Sequence, residues 1–169
     1  MNRISELIDK FTSLLGTLGS LFSGLLLLLI IFDVFLRFLF SVSLNYLLEL
    51  EWHFFGLIFL LGGGYNVLKD KHVRVDFFYE HFSEKKKDII NLFFHFIFLI
   101  PWSLVGIYTC YIYASNSFYI RESSPNPGGL AVIYPIKYIV VLCFVFILLQ
   151  GLSEIFKTIN RLKKTWNTL

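Results

Sequence analysis

ELEWHFFGLIFLLGGGYNVLKDKHVRVD, residues 49–76, decides how the chain is to be read. It opens on two carboxylates, Glu49 and Glu51, with Trp52 and His53 directly behind. An uncharged run over 54–68 separates these from Lys69, Asp70, Lys71, His72, Arg74 and Asp76. An apolar run of helical length, with acids and a tryptophan at one end and bases at the other, reads as one crossing of a bilayer. Working outward, the question is whether the rest of the chain agrees.

It does. The chain has 169 residues, of which 56% are hydrophobic and 16% charged, against about 25% charged in an ordinary soluble domain. Leu, Ile and Phe come in long blocks divided by short charged ones, the pattern of an all-α integral membrane protein. No stretch is left over for a separate soluble domain, so residues 1–169 read as one membrane domain. The net charge of +3 sits in clusters beside apolar runs, which suits membrane flanks rather than nucleic acid. Cys110 and Cys143 both fall within apolar runs, and neither a CxxC nor a zinc-like spacing is present. A long polar start and no small-x-small site after the apolar run 25–32 make the first segment a retained helix rather than a cleaved signal.

Ile4, Leu7, Ile8, Phe11, Leu14, Leu15 and Leu18 recur at steps of three and four, so 1–18 is an amphipathic segment. It either lies in the interface or forms the wet first turns of a tilted first crossing. The crossings are expected at 19–40, 51–68, 88–116 and 134–156, with a kink near Pro101 and a basic tail over 157–169. Arg3, Lys10, Lys69, Lys71, Arg74, Lys85, Lys86, Lys87, Lys157, Arg161, Lys163 and Lys164 fall on one side of this arrangement. Only Arg37, Arg121 and Lys137 fall on the other. The positive-inside rule then puts both termini in the cytoplasm.

Few residues invite chemistry. Asp33 and Arg37 stand four apart and can pair on one helix face inside the first crossing. Such a pair reads first as a structural brace. Glu49 and Glu51, at the outer end of the second crossing, can approach Arg37 across a hairpin and suit a helix N-terminus. Gly62, Gly63 and Gly64 permit close packing or a bend and are no phosphate loop, since GxxxxGK[ST] is absent. His72, Arg74 and Asp76 alternate with valines before Phe77, Phe78 and Tyr79, a basic inner foot with an interfacial aromatic band. Ser123, Ser124, Pro125, Asn126, Pro127, Gly128 and Gly129 form an outer loop whose prolines and glycines forbid a helix. It is either a docking surface or a rigid turn. His53 and His95 differ in depth by most of a bilayer, so they cannot share a haem, and His72 and His81 lie in the inner loop. No cofactor or metal site is expected.

Several segments in order, ELEWHFFGLIFLLGGGY, HVRVD, ESSPNPGG and Pro135-Ile136-Lys137 leading to Gln150-Gly151, resemble the small (DctQ-type) membrane subunit of tripartite ATP-independent periplasmic, or TRAP, transporters. The resemblance covers nearly the whole chain and is closest to the branch labelled mannitol/chloroaromatic-type. It implies an inner-membrane, non-enzymatic subunit that scaffolds a large membrane subunit and helps dock a periplasmic binding protein. The implied transport is sodium-driven uptake of an organic acid. On that reading Asp33, Arg37, Glu49, Glu51 and Trp52 brace the large subunit in the outer half. Gly62, Gly63, Gly64, His72, Arg74 and Asp76 do so in the inner half. The loop from Ser123 to Gly129 meets the periplasmic protein. The sequence departs from many relatives in placing Trp52 after Glu49 and Glu51 rather than before adjacent glutamates. The competing class is the membrane anchor of a redox complex.

Overall fold

The computed structural model describes residues 3–69 and 82–167, the side chains of 164–167 excepted. Regular structure among these residues is entirely helical: α1 (Arg3–Phe40), α2 (Asn45–Leu68), α3 (Glu84–Tyr119) and α4 (Tyr134–Asn167). All four are long and apolar enough to cross a membrane. Each runs past the segment that hydropathy marks, because charged residues at a helix end continue the backbone ladder after leaving hydrocarbon. Residues 1–18 and 19–40 are therefore not two elements. No proline interrupts them, and from Arg3 onward they form one helix of 38 residues. At 1.5 Å per residue it is ~57 Å long, nearly twice the ~30 Å of a hydrocarbon core.

Ser41 ends α1 in the left-handed region (φ 52°), and the link 41–44 folds α2 back as a hairpin. Within α3 the turn His95–Leu99 is a π turn, placed directly ahead of Pro101. Pro101 lacks a donor, and its ring would clash with the carbonyl four residues back. The widened turn, in which Ile100 N–H reaches His95 O, accommodates both defects. Pro101 thus acts here through a π turn. At its far end α3 closes with Arg121 at φ 49°, whose N–H donates to Phe118 O at 3.0 Å while Glu122 N–H donates to Ser117 O at 3.0 Å. This pair of bonds is a Schellman stop, and it aims the chain into the loop that follows.

α1 packs on α2, α2 and α3 pack on α4, and α4 also touches α1, so α4 is the central helix. Small and polar residues make many of the contacts, with Leu47, Val67 and Ile155 buried beside them. Ala114, Ser103, Ser117, Ser153 and Gln150 are buried, whereas Phe38 and Trp52 are 84% and 76% exposed. That is the reverse of a soluble core, and it is what lipid as solvent requires: helix association through close approach and polar contacts, not through hydrophobic burial. Gly106 shows the approach, since a Cβ there would lie 2.6 Å from the Phe144 ring. At Gly16 a Cβ would lie 2.5 Å from the Tyr65 ring.

Candidate functional site

Polar side chains gather at two levels. At the outer level Arg37 donates to Asp33, which is 2% exposed, while the guanidinium side chain remains 43% exposed. The pairing of α1 with α2, Phe22 on Phe54 and Gly16 on Tyr65, sets Asp33 and Arg37 within electrostatic reach of Glu51. Asp33 Oδ1 and Glu51 Oε1 are both buried without a hydrogen-bond partner among the described residues. Two carboxylates thus face one guanidinium.

Glu49 has a different task. Its Oε1 accepts from Ser124 Oγ and, at 2.9 Å, from Asn126 Nδ2, and its Oε2 accepts from Leu130 N–H at 2.7 Å. Asn45 Nδ2 adds a bond to Pro127 O at 2.8 Å. The base of the same loop is held by Lys137, which donates to Glu122 and lies 4.0 Å from the centre of the Tyr113 ring.

The inner level joins α1 to α4. Gln150 is fully buried: its Oε1 accepts from Thr12 Oγ1 at 2.7 Å, and its Nε2 donates to Asp9 and Glu154, each at 3.0 Å. Lys157 Nζ donates to both oxygens of Asp9 at 2.6 Å and to Glu154 at 2.8 Å. Arg161 of α4 pairs with Asp88 of α3 at 2.8 Å. From Asp9 to Asp33 along α1 is ~36 Å, and from Glu51 to Lys69 along α2 is ~27 Å, at 1.5 Å per residue.

Of the residues singled out by sequence, Asp33, Arg37 and Glu51 are brought together. Glu49 is not with them but under the outer loop. Trp52 points outward, as do Phe55 and Phe59. The three glycines part company. A Cβ on Gly63 would meet Ile147 at 3.0 Å and one on Gly64 would meet Thr12 at 3.6 Å, while Gly62 faces open space. Gly63 and Gly64 are therefore used in packing within this chain. His72, Arg74, Asp76 and His81 lie outside the described residues. His53 and His95 each bond the carbonyl four residues back through Nδ1, at 2.5 and 2.6 Å, on different helices and at opposite levels. Among the described residues no cluster of His, Cys, Asp or Glu suits a metal.

Sequence reasoning missed the inner network. The signal was present: Gln150, Glu154 and Lys157 stand at steps of four and three on one face of α4, and Asp9 and Thr12 lie off the greasy face of α1. It also missed that residues 11–32 are the uncharged run of the first segment, bounded by Lys10 and Asp33.

Four apolar helices with polar groups at both ends and an apolar exterior define a multi-pass membrane protein. The sequence model of the family described as "Tripartite ATP-independent periplasmic transporters, DctQ component" matches residues 26–161, and the chain belongs to that family. It is the small membrane subunit of a TRAP transporter, an inner-membrane protein and not an enzyme. In these systems the DctQ component works with a large membrane subunit and a periplasmic binding protein. Nothing in the assignment supports the redox-anchor alternative. No curated protein and no solved structure matches the chain.

Proposed function

We propose that this subunit braces the large membrane subunit of a sodium-driven organic-acid uptake system and offers its outer loop to the periplasmic binding protein. The observation that carries the bracing role is an outward stripe on α2. Trp52, Phe55 and Phe59 are 76%, 65% and 75% exposed, and Gly62 continues the stripe with none of the described residues above it. Aromatic knobs beside an open glycine suit a second helix better than they suit lipid tails. Arg37 stands at the top of this region, and buried Asp33 aims its guanidinium rather than meeting the partner itself. Glu51 completes the outer collar. The segment with His72, Arg74 and Asp76 is proposed as the inner foot of the same interface.

The membrane is proposed to lie between the two polar levels. On α1 it then covers 11–32, which at ~33 Å matches ~30 Å of hydrocarbon and moves Asp33 and Arg37 to the outer boundary. The mannitol/chloroaromatic-like branch and an organic-acid substrate rest on the sequence resemblance.

Gly62→Leu is the discriminating change, because its side chain enters open space and leaves this chain's own packing intact. It is expected to abolish co-purification with the large subunit and sodium-gradient uptake of organic acid in proteoliposomes carrying all three proteins. Full assembly of the variant would show that the stripe faces lipid. Uptake by the unaltered system without a sodium gradient would overturn the energetic part.

A further inference from the structure

The outer loop is folded around a carboxylate that it does not carry. A hydroxyl from Ser124, an amide from Asn126 and the backbone N–H of Leu130 all converge on Glu49 of α2. Ser124 Oγ in turn accepts from Asn126 N–H at 3.0 Å. Ser124 N–H donates to Leu130 O at 2.9 Å and Gly129 N–H to Asn126 O at 3.0 Å, around Gly128 at φ 71°. A Cβ on Gly129 would strike both Ser124 and Glu49, so the loop wraps the carboxylate closely.

We infer that Glu49 is a positioning residue: it holds residues 124–130 in one shape before any partner protein arrives. Two prolines restrict φ at two positions but leave ψ and the intervening residues free. The remaining selection has to come from long-range bonds, and nearly all the side-chain ones run to α2. Bonds to a charged acceptor are the stronger kind. With its donors turned inward on Glu49, the loop presents Ser123, Pro125, Pro127 and Gly128, an uncharged and pre-ordered crest. Ordering it in advance removes a cost that the partner would otherwise meet on binding. The loop shape stands independently; its use in docking rests on the function proposed above.

The test is amide hydrogen exchange on the full chain in lipid nanodiscs. Glu49→Gln keeps the size of the side chain but turns one acceptor oxygen into a donor facing other donors. Exchange of the Leu130 amide is expected to rise roughly tenfold or more, with amides around Gln150 unchanged. Ser124→Ala, which leaves α2 untouched, is expected to give a smaller rise in the same residues and keeps the test open should the first variant fold poorly. Unchanged exchange at Leu130 in both variants overturns the inference. Faster exchange with undiminished affinity of the Glu49→Gln complex for the binding protein leaves the loop assignment standing and overturns its role in docking.

Discussion

Glu122 shows what one residue adds at the outer face. Its carboxyl is held below its ordinary value of 4.5, chiefly because Lys137 donates to it. A carboxylate whose folded value is depressed contributes stability that is fully present above the ordinary value and is lost as pH falls through the lowered one. The base of the outer loop should therefore loosen only below about pH 4.5. Ile133 N–H, which donates to Glu122 O at 3.2 Å, is the probe. Its exchange, corrected for intrinsic rate, is expected to rise in acid in the native chain and to be already raised and less pH-dependent in Lys137→Met. A native profile flat down to pH ~3 would refute the account. Nothing in the sequence joins Glu122 to Lys137. Fifteen positions and a loop separate them, and only the Schellman stop at Arg121 turns one toward the other. Asp33 and Arg37 were legible as a pair because their spacing is local.

Among the elements, the α1–α4 contact depends on the polar network around Gln150. Leu at this position would keep the volume but leave Thr12 without its bond across the helices, and Asp9 and Glu154 held by Lys157 alone. Each buried group left unsatisfied costs ~1–3 kcal/mol. Gln150→Leu is expected to free the inner half of α1, seen as proteolysis within the first ten residues and a lower thermal midpoint in detergent, while the α3–α4 contact at Gly106 persists. An unchanged midpoint would show that Phe11 on Phe146, with ring centroids 5.1 Å apart, suffices on its own. Helix existence was plain from composition because apolar runs of this length have one stable form in lipid. Helix ends were not, since the positions where hydrophobicity stops are not those where backbone hydrogen bonding stops. The π turn was half legible: Pro101 announces a defect, but its form depends on how the preceding turn can widen.

At the scale of the whole molecule, the four membrane-length helices among the described residues bring the two ends of the bundle's chain to one side, and by the positive-inside rule the crowding of Lys and Arg there assigns that side to the cytoplasm. Single cysteines in a Cys110→Ser, Cys143→Ser background check this. Ser123→Cys is expected to react with an impermeant maleimide from the periplasm, and Ser83→Cys only after the membrane is opened. Reaction of Ser83→Cys in sealed cells would invert the topology. What the sequence withheld at this scale was partner choice. Glu49 and Glu51 are two positions apart in one acidic cluster, yet one serves the loop and the other faces α1, a division that helix rotation makes and spacing alone does not reveal.

The two polar levels also act as a gauge. Network-bound charges at each end of α1, ~36 Å apart, leave little freedom to slide along the membrane normal. In a thinner bilayer the helices have to tilt together or the lipid has to stretch. On the bracing role proposed above, a subunit built this way would set the height at which its companion sits, and acyl-chain length would become a variable that reaches the transporter's moving parts without touching them.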